Sequence, residues 1–422
     1  MQTYTPHHLI ERPRKDALVK EFIGKQLEEL RTPAMVINRA TFAINCAKMH
    51  ERAADWGATF RAHLKTHKTT EGTRLQLDSA FGKSHAVVVS TLMEAWEVVK
   101  SGLVADGTVN DILYGVPVAI NKLGDLAALS DELAKYGAAL HLMVDHPAQV
   151  QSLESFEGAS ETKRRWSCFV KVDGGQKRAG VPPTSLSLKS LLELIFASPA
   201  LEIYGFYAHA GNAYGSTSLS SATSFLSSEV EAVNAAAEVA LSLRPEASTS
   251  FVLSVGSTPT AHAANAESRA ILKRMLHGTL ELHAGNYPML DLQQKHTSLI
   301  GEGDIAQKVL ATVISNYPGR GESGVDEAMI DAGAIAFSKD GGPSGGYGDV
   351  IGRPWRVGRI SQEHGILVSM GQDNKLEVGE VVEIIGQHAC LIAAAYPWFY
   401  VVDGGVDEGR TVVDVWVPWK GW

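Results

Sequence analysis

The sequence predicts an α/β protein in which an N-terminal (β/α)8 barrel is followed by a C-terminal, mostly β domain. Three observations predict it. From about residue 30 to about residue 290, short apolar segments alternate with longer amphipathic runs. Beyond that the texture changes to strands joined by glycine-rich turns. Finally, 422 residues that are 45% hydrophobic suffice to bury a core in each part.

Taken in order, the strand-like segments of the first part are "AMVIN", "ATFRAHLK", "HAVVVST", "DILYGVP", "ALHLMVD", "CFVKVD", "EIYGFYAH" and "SFVLSVGS". Runs between them, such as "TLMEAWEVVKSG" and "ATSFLSSEVEAVNAAAEVALSL", repeat apolar residues at three- and four-residue spacing, the period of a helix packed on one side. Eight such units over roughly 250 residues suit a closed barrel, with a doubly wound open sheet as the competing architecture. The later segments "KVLATVISNYP", "EAMIDAGAIAFS", "VGRISQEHGILVSM" and "VGEVVEIIGQHACLIAAA" read as strands, separated by joints such as "KDGGPSGGYG". The barrel is therefore expected over 30–290, and the β domain over 291–422 completed by residues 1–29.

A formal net charge of -9 argues against a nucleic-acid partner, which calls for a basic face. The opening "MQTYTPHHLIERPRKDALVKEF" lacks the apolar core of a secretion signal. No apolar run approaches the ~20 residues that cross a bilayer, so a soluble, cytoplasmic protein with no membrane partner is expected. The three cysteines, Cys46, Cys168 and Cys390, form no C-x-x-C pair, which argues against a disulfide framework.

The stretch "TFRAHLKTHKTT" holds two lysines, Lys65 and Lys68. Side chains alternate across a strand, so Phe60, Ala62 and Leu64 share one face and Arg61, His63 and Lys65 the other. With the apolar face against the surrounding helices, Lys65 points into the barrel at its C-terminal mouth, where such folds keep their active sites. Lys68 has the opposite parity and lies past the strand. An amine held among other cations in that mouth has its charged form disfavoured and becomes nucleophilic enough for a Schiff base; the plainer reading of "KTHK" is a solvated basic turn.

In "SFVLSVGSTPT" an apolar strand runs into Gly256, Ser257, Thr258 and Pro259 before a helix-like stretch, "TAHAANAESRAILKRM". Thr258 suits a helix N-cap and Pro259 the first helical position, so that amides from Gly256 onwards would converge on an anion. This is read as the last barrel strand, and barrel phosphate sites commonly follow strands seven and eight; an ordinary capped turn is the alternative. A second glycine turn, "HAGNYPMLD", would bring Tyr287 and the Gly285 and Asn286 amides to the same phosphate. A lysine and a phosphate cradle together are what a pyridoxal phosphate enzyme needs.

In "EIIGQHACLIA", His388 and Cys390 sit two apart in what reads as an apolar strand, so both side chains project from one face. Imidazole plus thiolate suits zinc, and two protein ligands leave positions open for water or substrate. Read alone, a buried cysteine is more often a small hydrophobe. His283 and His364 are further candidates as ligands or proton carriers, with structural roles as the plainer reading.

These pieces resemble the eukaryotic-type D-serine dehydratases, which group with D-threonine aldolases in the alanine-racemase-like fold class of pyridoxal phosphate enzymes. The resemblance spans essentially the whole chain: "RTPAMVI", "RAHLKTHKT", "VSTLMEA", "VDGGQKRAGV", "YAHAGNAYG", "GSTPT", "HAGNY", "DAGAIAFSKD", "SQEHG" and "QHACL" occur in that order. It implies a head-to-tail homodimer with active sites between subunits. It makes Lys65 the lysine that carries the cofactor and His388 and Cys390 the zinc ligands. Gly256, Ser257, Thr258, Gly285, Asn286 and Tyr287 become phosphate contacts, and Tyr214 a tyrosine near the pyridine nitrogen. His63, Arg178, His209 and Asp173 would line the pocket. Ala62 stands where the family more often has proline, and Asn212 and Ala213 replace part of a family "HAGHSY", changes that flank the cofactor.

The implied activity is zinc-assisted removal of water from D-serine, and from D-threonine, giving a 2-oxo acid and ammonia. D-Threonine aldolase cleavage is the alternative, against which Cys390 speaks, because a hard metal prefers a carboxylate. A non-catalytic cofactor carrier would lack the second domain, and a racemase has no need of the His-x-Cys pair.

Overall fold

The computed structural model describes residues 7–245, 251–272, 275–343, 345–371 and 375–422. Met1 to Pro6 of the expected second-domain segment, Ser250 before the cradle strand, Lys273 and Arg274 of the helical stretch after it, and Ser344 of the glycine-rich joint lie outside the described residues.

The barrel is closed and eight-stranded. Its strands are β2 (Thr59–His63), β3 (Ala86–Val89), β4 (Asp111–Pro117), β5 (Ala139–Val144), β6 (Trp166–Lys171), β7 (Leu201–Tyr207), β8 (Phe251–Val255) and β9 (Gly278–Ala284), after a preceding strand β1 (Ala34–Asn38) that lies elsewhere. All neighbours are parallel, and β9 closes the ring on β2 with Glu281 opposite Thr59 and Ala284 opposite Ala62. Helices cover the outside, among them Arg39–Asp55 and Leu219–Leu243.

Two strands differ from the sequence expectation. "AMVIN" is β1, and it pairs antiparallel with residues 307–310 and parallel with residues 400–402, so it belongs to the second sheet rather than to the expected barrel segment. Its apolar run followed by a helix has the pattern of a barrel unit, but buried strands look alike from either sheet. The eighth barrel strand is "GTLELHA", whose inward Glu281 and His283 interrupt the apolar run that marked the others. Gly256 consequently follows the seventh barrel strand, not the last.

The second sheet has nine strands: β1 with β10 (Gln307–Tyr317), β11 (Glu327–Ile330), β12 (Gly348–Val350), β13 (Trp355–Ile360), β14 (Gly365–Ser369), β15 (Val381–Gly386), β16 (Phe399–Val402) and β17 (Val412–Trp416). The N-terminal helix Lys15–Phe22 packs on β17, with Lys15 3.2 Å from Asp414. A single buried apolar cluster runs from the helix layer of the barrel into this sheet, so the two domains share a core.

Inside the barrel the lower layers are polar. Arg61 is fully buried and ion-paired to Glu281 at 2.8 Å and to Asp111. Burial opposes the charge, but the two carboxylates outweigh it and raise the guanidinium pKa. Removing one partner from such a cluster costs about 3–5 kcal/mol, because the others are left buried and unpaired. That polar plug confirms the inward face read from the lysine motif.

Candidate active site

The lysine motif is positioned by the backbone. Beyond β2 the Leu64 N–H donates to the Val88 carbonyl at 3.0 Å, so the strand direction is kept for one more residue before Lys65. Lys65 is half-buried at the mouth. A Cβ on Gly285, at the end of β9, would lie 3.1 Å from Lys65 Cε and 3.2 Å from His63 Cβ, so glycine there keeps a space open beside the lysine. Lys68 turns away with φ 51° and pairs with the buried Glu94 at 3.0 Å.

The Lys65 ammonium acts on four groups around it: His63, His209, Tyr214 and Cys390. His63 is held well below the ordinary imidazole range, by burial first and then by Lys65 and His209. His209 is depressed in the same way, by burial, then Lys65 and Lys171. Its Nδ1 donates to the Gly256 carbonyl at 2.7 Å. Both imidazoles are therefore neutral hydrogen-bonding groups at pH 7.

At the cradle, Gly256 has φ +144° and a Cβ there would lie 2.0 Å from the His283 carbonyl, which only glycine tolerates. The helix Thr258–His262 is capped by Ser257, not Thr258, and Pro259 takes the second helical position. Ser257 is the extended residue, and its hydroxyl accepts from the Thr260 N–H. Thr258 Oγ1 is thereby freed to accept from the Asn286 N–H at 3.1 Å, which joins the two glycine turns. Glu229 sits behind the turn, accepting from the Gly256 N–H at 3.2 Å and the Ala210 N–H at 2.6 Å. Burial pushes its carboxyl up to about 7.

His388 and Cys390 are not on a strand. β15 ends at Gly386, His388 precedes the helix Ala389–Ala395, and Cys390 lies in its first turn. The segment "ACLIAAA" is rich in alanine, the strongest helix former, which overrides its strand-like apolar run. The two side chains nevertheless meet and are hydrogen-bonded. Burial lowers the His388 pKa, but Cys390 and then Asp340, whose Oδ2 is 2.7 Å from His388 Nδ1, overcome this and raise it to about 9. Burial raises the Cys390 pKa, but His388 and Lys65 outweigh it and lower it. These shifts move Cys390 towards the thiolate, the form that binds a metal, while His388 would have to give up its Nε2 proton to bind one. No group of three or more metal-binding side chains occurs among the described residues.

The two halves of the site are joined through Thr66. Its hydroxyl donates to the Gly285 carbonyl at 3.1 Å and stands 3.1 Å from Cys390 Sγ. A cavity of about 420 Å³ lies beside Asp340, lined by Tyr214 from the barrel and by His296, Asp340, Gly342 and Gln387; Lys65, Thr66, His388 and Cys390 are not among its walls.

Other expected residues are placed differently. Tyr287 is fully buried, its hydroxyl bound by Gln76 Nε2 at 3.1 Å and its ring packed on Phe60, which faces out of the barrel. Tyr214 hydrogen-bonds Thr258 of the cradle turn and also lines the cavity beside Asp340. Asp173 caps its own loop through the Gly175 and Lys177 amides. Arg178 is exposed, close enough to Lys171 and His209 to depress both. His283 lies inside the barrel, 3.0 Å from Ser254 and stacked 4.0 Å from Tyr207, and His364 is exposed in the β13–β14 turn, so neither joins the His388–Cys390 pair.

The residues missed are Thr66, Asp291, Asp340, Glu229 and Lys171. Lys171 stands 4.3 Å over the Tyr207 ring, its pKa lowered to about 7 by burial first and then by Arg178. Its parity on β6 is a usable signal, because Phe169 and Lys171 share the inward face.

Two family models match the chain: "Alanine racemase, N-terminal domain" over residues 37–272 and "Putative serine dehydratase domain" over residues 306–402. The chain is 45% identical to the D-serine dehydratase of Schizosaccharomyces pombe, over 97% of this chain and 96% of that one. It is 34% identical to that of Saccharomyces cerevisiae, over 96% and 99%. Among solved structures it resembles D-threo-3-hydroxyaspartate dehydratase from Delftia sp. HT23, with a TM-score of 0.79, 29% identity, and 94% and 100% of the chains covered. Identity to the D-threonine aldolase of an Arthrobacter species is 24%, over 93% of each chain.

Proposed function

Because the chain belongs to the D-serine dehydratase family of lyases, with an alanine-racemase-like barrel as its first domain, we propose that it removes water from D-serine, and from D-threonine, using pyridoxal 5′-phosphate and zinc. The products are a 2-oxo acid and ammonia. The observation that carries this reading is the Thr66 contact, which sets the Cys390 sulfur beside the residue that follows Lys65.

The side chains fit both groups. Gly285 leaves open, next to the Lys65 amine, the volume that a Cβ would fill, and the joined turns at Gly256–Thr258 and Gly285–Asn286 would face the phosphate. Lys65 would hold pyridoxal phosphate, which supplies an electron sink for the α-carbon. His388 and Cys390 would hold zinc, which supplies Lewis acidity where a hydroxyl must leave. Asp340 accepts from His388 Nδ1–H, so Nε2, once its proton is lost, would be the nitrogen left for a metal.

Lys65 Nζ would serve as the base for the α-proton of the bound substrate. The neutral His63 and His209 keep that region free of added positive charge, so the amine is not met by a second acid. The cavity beside Asp340 is where the substrate's hydroxyl and carboxylate would enter.

A homodimer accompanies the reading. Ile335 and Leu391, 56% and 46% exposed, lie on the contacting helices Ala334–Phe337 and Ala389–Ala395 beside the metal pair, an apolar surface suited to a second copy. No helix among the described residues is long and apolar enough to cross a membrane. The test is incubation with D-serine, D-threonine and their L-enantiomers, with and without chelator. Pyruvate and ammonia from D-serine, lost on chelation, are expected; glycine and acetaldehyde from D-threonine would establish an aldolase instead.

A further inference from the structure

Asp291 belongs to neither the lysine motif, the cradle nor the metal pair, yet it touches the last two. Its Oδ2 accepts from Asn286 Nδ2 at 2.6 Å and from the Ala389 N–H at 2.8 Å, while Oδ1 accepts from the Gln294 N–H at 2.9 Å. The side chain is fully buried. Ala389 lies between His388 and Cys390, and the Asn286 N–H is bound to Thr258 Oγ1 in the cradle. One carboxylate oxygen therefore ties the phosphate end of the site to the backbone that presents both metal candidates. Asp340 supports His388 from the second domain alone and has no such link.

We propose that Asp291 is a positioning residue that makes cofactor binding and metal binding mutually dependent. This rests on the function proposed above. A phosphate in the cradle immobilises the Gly285–Asn286 turn, and through Asp291 the 388–390 turn is ordered at the same time. The ordering cost is then met once for two ligands, so each binds tighter when the other is present, and linkage makes the factor equal in both directions. In Asp291→Asn an amide cannot offer oxygen at both ends. Either Gln294 or the Asn286–Ala389 pair of donors must face an NH2 group, with little change in volume.

The test is the zinc affinity of the full-length enzyme, with and without pyridoxal phosphate, by competition with a chromophoric chelator. In the wild type, zinc should bind on the order of tenfold tighter to the cofactor-loaded form, within the usual range of coupling between sites. In Asp291→Asn the two affinities should be equal. Asp340→Asn should weaken zinc in both forms and keep the tenfold ratio, which a merely structural loss at Asp291 would not separate. If Asp291→Asn fails to fold, Asn286→Ala removes the donor at the other end of the bridge and should also abolish the ratio. Equal zinc affinities in the wild type, or a ratio that survives either bridge variant, overturns the proposal while leaving the dehydratase reading intact. A wild type that binds neither zinc nor pyridoxal phosphate overturns both.

Discussion

The two anchors of the site are held in different ways. Lys65 extends from a barrel strand whose place is fixed by backbone ladders on both sides, to β3 and to β9. His388 and Cys390 sit where a strand has ended, and what orients them is side chains: Asp340 on His388, Thr66 on Cys390 and Asp291 on the amide between them. A ladder is insensitive to single substitutions, whereas an anchor hung on carboxylates and a hydroxyl is adjustable one contact at a time.

The largest expected effect comes from removing the ladder-held anchor. Lys65→Ala should lose the cofactor's visible absorbance band and on the order of 10³-fold or more in kcat, the scale of a positioned base; a surviving band would mean that another amine carries the cofactor. Cys390→Ala should cost roughly 10²–10³-fold in turnover of D-serine, while the absorbance of the loaded enzyme stays in place. Loss of that band in Cys390→Ala would break the separation between the two anchors.

Asp340→Asn should be milder, weakening zinc by roughly 10–100-fold in a chelator competition and leaving Lys65 chemistry unchanged at saturating metal. The smallest effect belongs to a support of the cradle. Burial lifts the Glu229 carboxyl from the ordinary 4.5 to about 7. Between those values the unfolded chain ionises while the folded chain keeps its proton, so stability should fall as pH rises from 4.5 to 7 and level off above. Urea midpoints at pH 5 and pH 7 should differ less in Glu229→Gln than in the wild type; an equal difference in both would assign the slope to other groups.

What the sequence makes legible follows the same divide. The alternation Phe60, Ala62, Leu64 against Arg61, His63, Lys65 is local, and the structure places Arg61 inside and Lys65 at the mouth accordingly. The chemistry of His388 and Cys390 was legible from residue type even though the local structure is a helix start, because i and i+2 meet there through bonding to each other rather than through strand parity. Asp340 and Asp291 were not legible as supports of this pair, since His388 and Ala389 lie 48 and 98 residues from them; the local stretch marks Asp291 only as the cap of the short helix Leu292–Lys295. Tyr287 shows the converse: its position beside Gly285 and Asn286 suggested a phosphate contact, but a large ring next to a crowded turn packs behind the barrel wall. The exchange of Ala34–Asn38 for Gly278–Ala284 as a barrel strand arose because an all-apolar strand is anonymous while a strand with inward charges hides its period.

That first strand has a bearing on how the chain is made. Ala34–Asn38 lies between residues 307–310 on one side and 400–402 on the other, so during synthesis its first partner strand appears only after the whole barrel, and its second only near the end of the chain. A chain cut after the barrel would leave this mostly apolar segment without either neighbour, favouring aggregation over a free-standing catalytic half.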